Sequence, residues 1–194
     1  MIEYLNTYDT KLFLFLNSHH NTFWDAVFWS FSHTLVWIPL YAFILAVILI
    51  KYKKHSWLVL LSVIVLITMS DQISSGIIKF LVERLRPSHN PELAGLVHIV
   101  RNYKGELYGF VSSHAANTFA VAVFIALLFR NKIYSWCIFI WPISVSYSRI
   151  YLGVHYPGDI LGGALVGIGC GFLIYYLFKK IIESDYFSTN KHSP

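Results

Sequence analysis

Apolar runs separated by short polar tracts organise this chain. Five stretches are apolar over lengths that fit a bilayer's hydrocarbon core: about Val27 to Ile50, Ser56 to Phe80, Ser112 to Phe129, Tyr134 to Tyr151, and Pro157 to Lys179-Lys180. Each is expected to be a membrane-spanning helix, the first tolerating His33 and Pro39 and the fourth kinked at Pro142. Residues Met1 to Asn17 place Tyr4, Leu5, Tyr8, Leu12, Phe15 and Leu16 at helical spacing, interrupted by Asn6, Asp9 and Thr10. That pattern predicts an interfacial helix, with a sixth span left open; it lacks the basic start and unbroken apolar core of a signal peptide. Between the second and third spans, Ser88 to Gly109 reads as an extramembrane loop. The expected fold is an all-α polytopic bundle of five to six spans, one domain over 1–180 with its interfacial helix at 1–18. A loose polar cytoplasmic tail follows at 181–194.

Composition supports the membrane reading. Of 194 residues 56% are hydrophobic and 18% aromatic, with a mean hydropathy of +0.56, which excludes an ordinary soluble domain. The formal charge of +5 does not indicate nucleic acid, because the basic residues form no run with interleaved aromatics. They mark topology instead: Lys51, Lys53 and Lys54, then Arg130 and Lys132, then Lys179 and Lys180 fall on one side, the cytoplasmic one by the positive-inside rule. Cys137 and Cys170 lie inside apolar segments and read as small core residues. Gly163, Gly167 and Gly171 form a small-residue stripe suited to close helix packing, with dimerisation left open.

The groups with chemical promise share the opposite face. Lys79 and Arg86 lie seven residues apart, expected on one side of a helix that Pro87 closes, and suggest an anion site. Glu83 is placed to pair with Lys79. Ser112, Ser113 and His114 open the third span, where hydroxyls and free N–H groups cap a helix or bind an anion and an imidazole can act as a general acid. Ser148 to Asp159 holds Arg149, His155 and Asp159 between two apolar segments, where charged groups are costly unless functional. With Pro157 at the first helical position, Asp159 falls in the first turn and can accept from one ring nitrogen of His155, leaving the other free.

These three clusters resemble the motifs of the type 2 phosphatidic acid phosphatase superfamily: Lys-x6-Arg-Pro, Pro-Ser-Gly-His and Ser-Arg-x5-His-x3-Asp. Lys79 to Pro87 and Ser148 to Asp159 match fully; Val111-Ser112-Ser113-His114 departs at Val111 and Ser113. The resemblance covers roughly residues 27 to 180 and implies a phosphatidic acid phosphatase type 2/haloperoxidase-like core. It further implies a metal-independent lipid phosphatase that needs no cofactor. His155 would be the nucleophile, Asp159 its orienting carboxylate and His114 the acid, with Lys79, Arg86, Arg149, Ser112 and Ser113 binding phosphate. The site would face the periplasmic side of a bacterial-type inner membrane, with the C-terminus cytoplasmic. Membrane lipids are expected partners besides the substrate, with no nucleic acid and a homodimer left open. Among substrates, undecaprenyl diphosphate is expected ahead of phosphatidylglycerophosphate, phosphatidic acid or lipid A. Tyr108, Phe110, Tyr151 and Tyr156 neighbour the site as interfacial anchors or substrate contacts. A transporter and a non-catalytic lipid-binding protein are the rival classes; the clustering at one face argues against the first, and the retained His114, His155 and Asp159 against the second.

Overall fold

The computed structural model describes residues 2–190, with side chains over 3–184. It is all-helical apart from an isolated antiparallel bridge between Leu85 and Tyr108. The helices are α1 (Ile2–Ser18), α2 (Thr22–Phe31), α3 (Ile38–Tyr52), α4 (Ser56–Asp71), α5 (Lys79–Val82), α6 (Ser113–Phe129), α7 (Lys132–Ile138), α8 (Ile140–Tyr151) and α9 (Pro157–Asn190). A π-helical segment, Gln72–Ile78, joins α4 to α5.

The α6/α9 pair is the spine, and the glycine stripe explains its closeness. A Cβ at Gly163 would collide with the carbonyl oxygen of Ser112, and one at Gly167 with that of Ala116; one at Gly171 would stand 2.8 Å from that of Ala120. The stripe is thus spent on α6 within the chain and is closed to a second copy. Around the pair, Leu66, Phe124, Ile125, Trp141, Ile174 and Phe178 form the main buried cluster. Outside it, Ile50, Ile64, Phe80, Leu81, Leu165 and Phe172 are exposed, an apolar surface that lipid rather than water suits. Two helical stretches, Thr34–Val82 and Pro157–Ser184, are long and apolar enough to cross a membrane. The first turns back on itself: Lys53 adopts φ 47° at the end of α3, and Ser56 Oγ donates to Ile48 O at 3.2 Å, making α3 and α4 an antiparallel hairpin.

Several expected elements differ in the structure. The first expected span breaks between α2 and α3, where Trp37 Nε1 donates to Phe31 O at 2.9 Å, and Pro39 starts α3 rather than interrupting a longer helix. The kink attributed to Pro142 falls at Phe139, which separates α7 from α8. Pro142 has no N–H for the carbonyl four residues back, so the ladder opens upstream of it. Helix α9 runs to Asn190, beyond the expected end of the fifth span, so the stretch expected to be loose is helical as far as it is described. Cys137 is exposed, whereas Cys170 is buried as expected.

The N-terminal helix forms as expected and is tied to the protein by one face. Phe13 is buried with Leu93, Ile150 and Tyr156, and Asn17 Nδ2 donates to Tyr151 O at 2.8 Å and His98 O at 3.1 Å. Tyr4, Leu5, Tyr8, Leu12 and Phe15 remain exposed on the other face.

Candidate active site

The first cluster assembles through a broken helix, not a continuous one. Glu83, at φ 48°, ends α5 in the left-handed region, and the chain leaves extended through Arg86. There it pairs with the segment returning to α6: Arg86 N–H donates to Leu107 O at 3.1 Å, and Gly109 N–H to Arg84 O at 2.8 Å. Arg86 therefore does not share a helix face with Lys79, as its spacing suggested. Both cations meet instead at Glu106, whose Oε2 lies 3.0 Å from Lys79 Nζ and 3.5 Å from Arg86 Nη2. Glu106, not Glu83, is the carboxylate Lys79 pairs with. The backbone here is fitted to Arg86: a Cβ at Gly105 would come within 2.6 Å of Arg86 Nη1, and Arg86 Nε donates to Tyr108 O at 3.0 Å.

The third cluster is built by the turn from α8 to α9. Gly153, at φ +77°, reverses the chain, and the N–H groups of Val154 and His155 both donate to Arg149 O, at 3.1 and 3.2 Å. His155 is thereby folded back over Arg149. One turn into α9, Asp159 Oδ2 lies 3.3 Å from His155 Nδ1 and accepts from Tyr156 N–H at 3.0 Å. Its other oxygen takes Arg84 Nη1 at 2.9 Å. Asp159 is fully buried and held from three sides, and it engages His155 through Nδ1. Tyr151 and Tyr156, read from sequence as interfacial anchors or substrate contacts, are buried core residues: Tyr151 Oη donates to Asp25 Oδ1 at 2.7 Å, and Tyr156 Oη accepts from Asn90 Nδ2 at 3.2 Å.

The second cluster is brought alongside by the α6/α9 packing. Ser112 N-caps α6 and donates its own N–H to Asp159 O at 3.0 Å, so α6 begins against the first turn of α9. Ser113 and His114 follow, with N–H groups lacking the intrahelical acceptors of later turns. His114 is within electrostatic reach of Arg149, His155, Arg86 and Lys79. All eight residues singled out from sequence thus share one end of the bundle. The basic residues mark the other: Lys51 Nζ donates to Leu128 O at 3.1 Å, at the far end of α6, and Arg130 to Tyr175 Oη at 3.1 Å.

Charge at the site is unbalanced. Lys79, Arg86 and Arg149 are 6%, 5% and 2% exposed, while of the nearby carboxylates Asp159 is already paired with Arg84 and Glu106 has a side chain 75% exposed. Arg149 Nη2 donates to Tyr103 Oη at 3.1 Å, but its Nε is buried without a partner among the described residues. Burial first, then Arg86, Arg149 and Lys79, hold the His155 imidazole well below its ordinary pKa of 6.5, so it is neutral near pH 7. A neutral imidazole, an unfilled Arg donor and an excess of buried positive charge suit a phosphate dianion.

The family profile described as PAP2 superfamily matches residues 56–183, spanning the whole constellation. The chain belongs to the PAP2 superfamily. Its relatives there include a lipid A 4'-phosphatase of Bacteroides thetaiotaomicron, 43% identical over 95% of this chain and 84% of that one. Another lipid A 4'-phosphatase, of Porphyromonas gingivalis, is 35% identical over 92% of this chain and 77% of its own. The undecaprenyl-diphosphatase BcrC of Bacillus subtilis is 32% identical over 86% of this chain and 80% of its own. The PAP2 fold is shared with the crystal structure of Aquifex aeolicus LpxE, at TM-score 0.66 and 24% identity over 85% of this chain and 93% of that one.

Sequence reading passed over four groups that serve this PAP2 site. Arg84, next but one to Arg86, bridges Asp159 to Asp9 of α1 at 2.8 Å, and Asp9 Oδ1 accepts from Gly158 N–H at 2.7 Å. Glu106 and Tyr103 complete the set. The available signal was Asp9, an acid at helical spacing from Leu5, Leu12, Phe13 and Leu16, where a charge is costly unless paired.

Proposed function

We propose that this PAP2 member is an integral-membrane lipid phosphatase that acts through a phosphohistidine. His155 Nε2 attacks the phosphorus of a terminal phosphate while Asp159 fixes the proton on Nδ1. Lys79, Arg86, Arg149 and the first N–H groups of α6 hold the nonbridging oxygens, and His114, protonated from solvent once the bound phosphate offsets the cations beside it, gives that proton to the leaving lipid oxygen. Water then attacks the phosphohistidine, with His114 taking the proton, and releases inorganic phosphate and neutral His155. The observation that carries this is the neutral, buried His155 among three nearly buried cations whose positive charge one exposed carboxylate does not balance. The cations stand where a divalent ion would otherwise act, so the reading includes metal independence.

For topology the reading is five spans, with the site on the outer face and the Lys51/Arg130 end cytoplasmic; α6, of 17 residues, separates the two ends by about 25 Å. For substrate, the names carried by the relatives at 43% and 35% identity favour a lipid A phosphate. Undecaprenyl diphosphate, preferred from the sequence alone, is the second reading and rests on the relative at 32%. Phosphate release by the detergent-purified protein tests this, with lipid A, undecaprenyl diphosphate, phosphatidylglycerophosphate and phosphatidic acid compared under chelator. The expected result is release from lipid A that persists under chelator and falls roughly a thousandfold or more in His155→Ala. Activity lost to chelator and restored by a divalent metal refutes the mechanism, as does a fully active His155→Ala.

A further inference from the structure

A cavity of about 510 Å³ descends from Ser113 and His114 between α3, α4 and α6, walled by Tyr41, Ile44, Ile48, Val63, Ile67 and Val121. Its position and lining suit the chains of a lipid whose phosphate lies at His155. One acidic side chain interrupts the apolar wall: Asp71, the last residue of α4. It lies eight residues before Lys79, on the far side of the π-helical segment. Facing it on α6 is Asn117, three residues and about 5 Å beyond His114.

Asn117 Nδ2 donates to Asp71 Oδ1 at 3.1 Å. A carboxylate only accepts, so the amide must turn its nitrogen to Asp71, and Asn117 Oδ1 is left buried without a donor. Asp71 Oδ2 also makes no hydrogen bond among the described residues. The cavity thus holds acceptors in excess at a depth where an unpaired acceptor is costly. A bare hydrocarbon chain would strip water from Asp71 and return nothing, whereas a chain bearing a hydroxyl or an amide N–H would fill its open oxygen.

We infer that Asp71, oriented by Asn117, selects lipid phosphates that carry a hydrogen-bond donor, a hydroxyl or an amide N–H, where the head group meets the chains. The inference rests on the phosphatase reading above and narrows its substrate class: phosphates of pure hydrocarbon chains, polyprenyl ones included, become the poorer substrates.

The test uses three matched lipids with the purified full-length protein: phosphatidic acid with myristoyl chains, the same lipid with β-hydroxymyristoyl chains, and an analogue with one ester replaced by an amide. The readout is the ratio of kcat/KM values from phosphate release, donor-bearing over plain. The wild type is expected to favour at least one donor-bearing lipid by about tenfold, as a site built around a hydrogen bond rejects the analogue lacking it. In the double variant Asp71→Leu/Asn117→Leu, which replaces both partners with apolar groups of similar size, the ratio should fall to about one. Asp71→Asn, closest in shape, keeps the assay informative if the double variant does not fold, and its ratio should drop about threefold. Equal rates on all three lipids by active wild type overturn the inference and leave the phosphatase reading standing. A ratio unchanged in the folded variants also overturns it, assigning the pair to holding α4 against α6. No release from any lipid by folded wild type defeats the phosphatase reading itself.

Discussion

Replacing Glu106 with Gln removes a negative charge from between the two cations that the mechanism assigns to phosphate. Glu106 Oε2 stands 3.0 Å from Lys79 Nζ and 3.5 Å from Arg86 Nη2, with its own side chain 75% exposed and theirs 8% and 6%. A phosphate that engages both cations must displace this carboxylate, so substrate binding carries the work of breaking both contacts. Ion pairs with one exposed partner are worth about 0.2–1 kcal/mol each, so the two together oppose binding by about 1 kcal/mol, or roughly fivefold in apparent affinity. Glu106→Gln should therefore lower KM about fivefold and tighten inhibition by inorganic phosphate equally, with kcat within about twofold of wild type. The hydrogen bond and charge of Lys79 hold Glu106 below its ordinary pKa of 4.5, so the competing charge persists through the neutral range. The ratio of variant to wild-type KM should be flat there and rise toward one only as pH falls through that lowered value. A KM that rises, or phosphate inhibition that does not move, refutes the reasoning and makes Glu106 a brace for Lys79 and Arg86 rather than a competitor.

Three further outcomes follow from the geometry. His155 titrates well below 6.5 when folded, so the unfolded chain takes up a proton that the native state refuses. Its contribution to stability is complete above pH 6.5 and declines as pH falls toward the folded value, and the acid limb of kcat/KM should also lie below 6.5; melting temperatures and rates across a pH series check both. Arg84→Met leaves the buried Asp159 carboxylate without its charge partner and should lower stability by about 3 kcal/mol in chemical denaturation, with a matching fall in kcat. Asp9→Asn, which keeps an acceptor for Gly158 N–H, should do less on both counts. Gly167→Leu drives a side chain into the backbone of α6 and should lower the melting temperature or prevent folding, whereas Gly169→Ala, with open space at its Cβ, should stabilise by about 0.5–1 kcal/mol.

Much of the site was legible because its chemistry is written in residue type and spacing. The i, i+4 relation of His155 to Asp159, with Pro157 opening α9 between them, fixes their contact locally, and Ser112 caps α6 where its hydroxyl predicts. What escaped depends on turns that hydropathy does not report. Lys79 and Arg86 read as one helix face because nothing in the pattern announces a left-handed Glu83, and their meeting at Glu106 bridges 27 residues from Lys79. Arg84 and Asp9 escaped for the same reason: their contact, like that of Arg84 with Asp159, is tertiary. In the fold, apolar runs marked helices but not their breaks. The expected first span fails at Ser32 and Thr34 because the indole N–H of Trp37 takes the carbonyl of Phe31 that continued helix would have used.

The two departures from the family's second motif become intelligible once the local structure is seen. Val111, in the Pro position, is buried against Gly162, where a Cβ would stand 2.7 Å from Val111 Cγ1; the bulk on one side is matched by its absence on the other. Ser113, in the Gly position, is the first residue of α6 and is not among the positive-φ residues, so the backbone there does not require glycine. A main-chain N–H, the group the proposed mechanism uses there, is present whatever side chain the residue carries. Ser113 lines the cavity beside His114, which in the proposed reading lies between the phosphate and Asp71. The substitution therefore adds a hydroxyl-bearing residue to the cavity wall that also holds the unfilled acceptors of Asp71 and Asn117, and in the proposed mechanism leaves phosphate binding to the backbone and the cations.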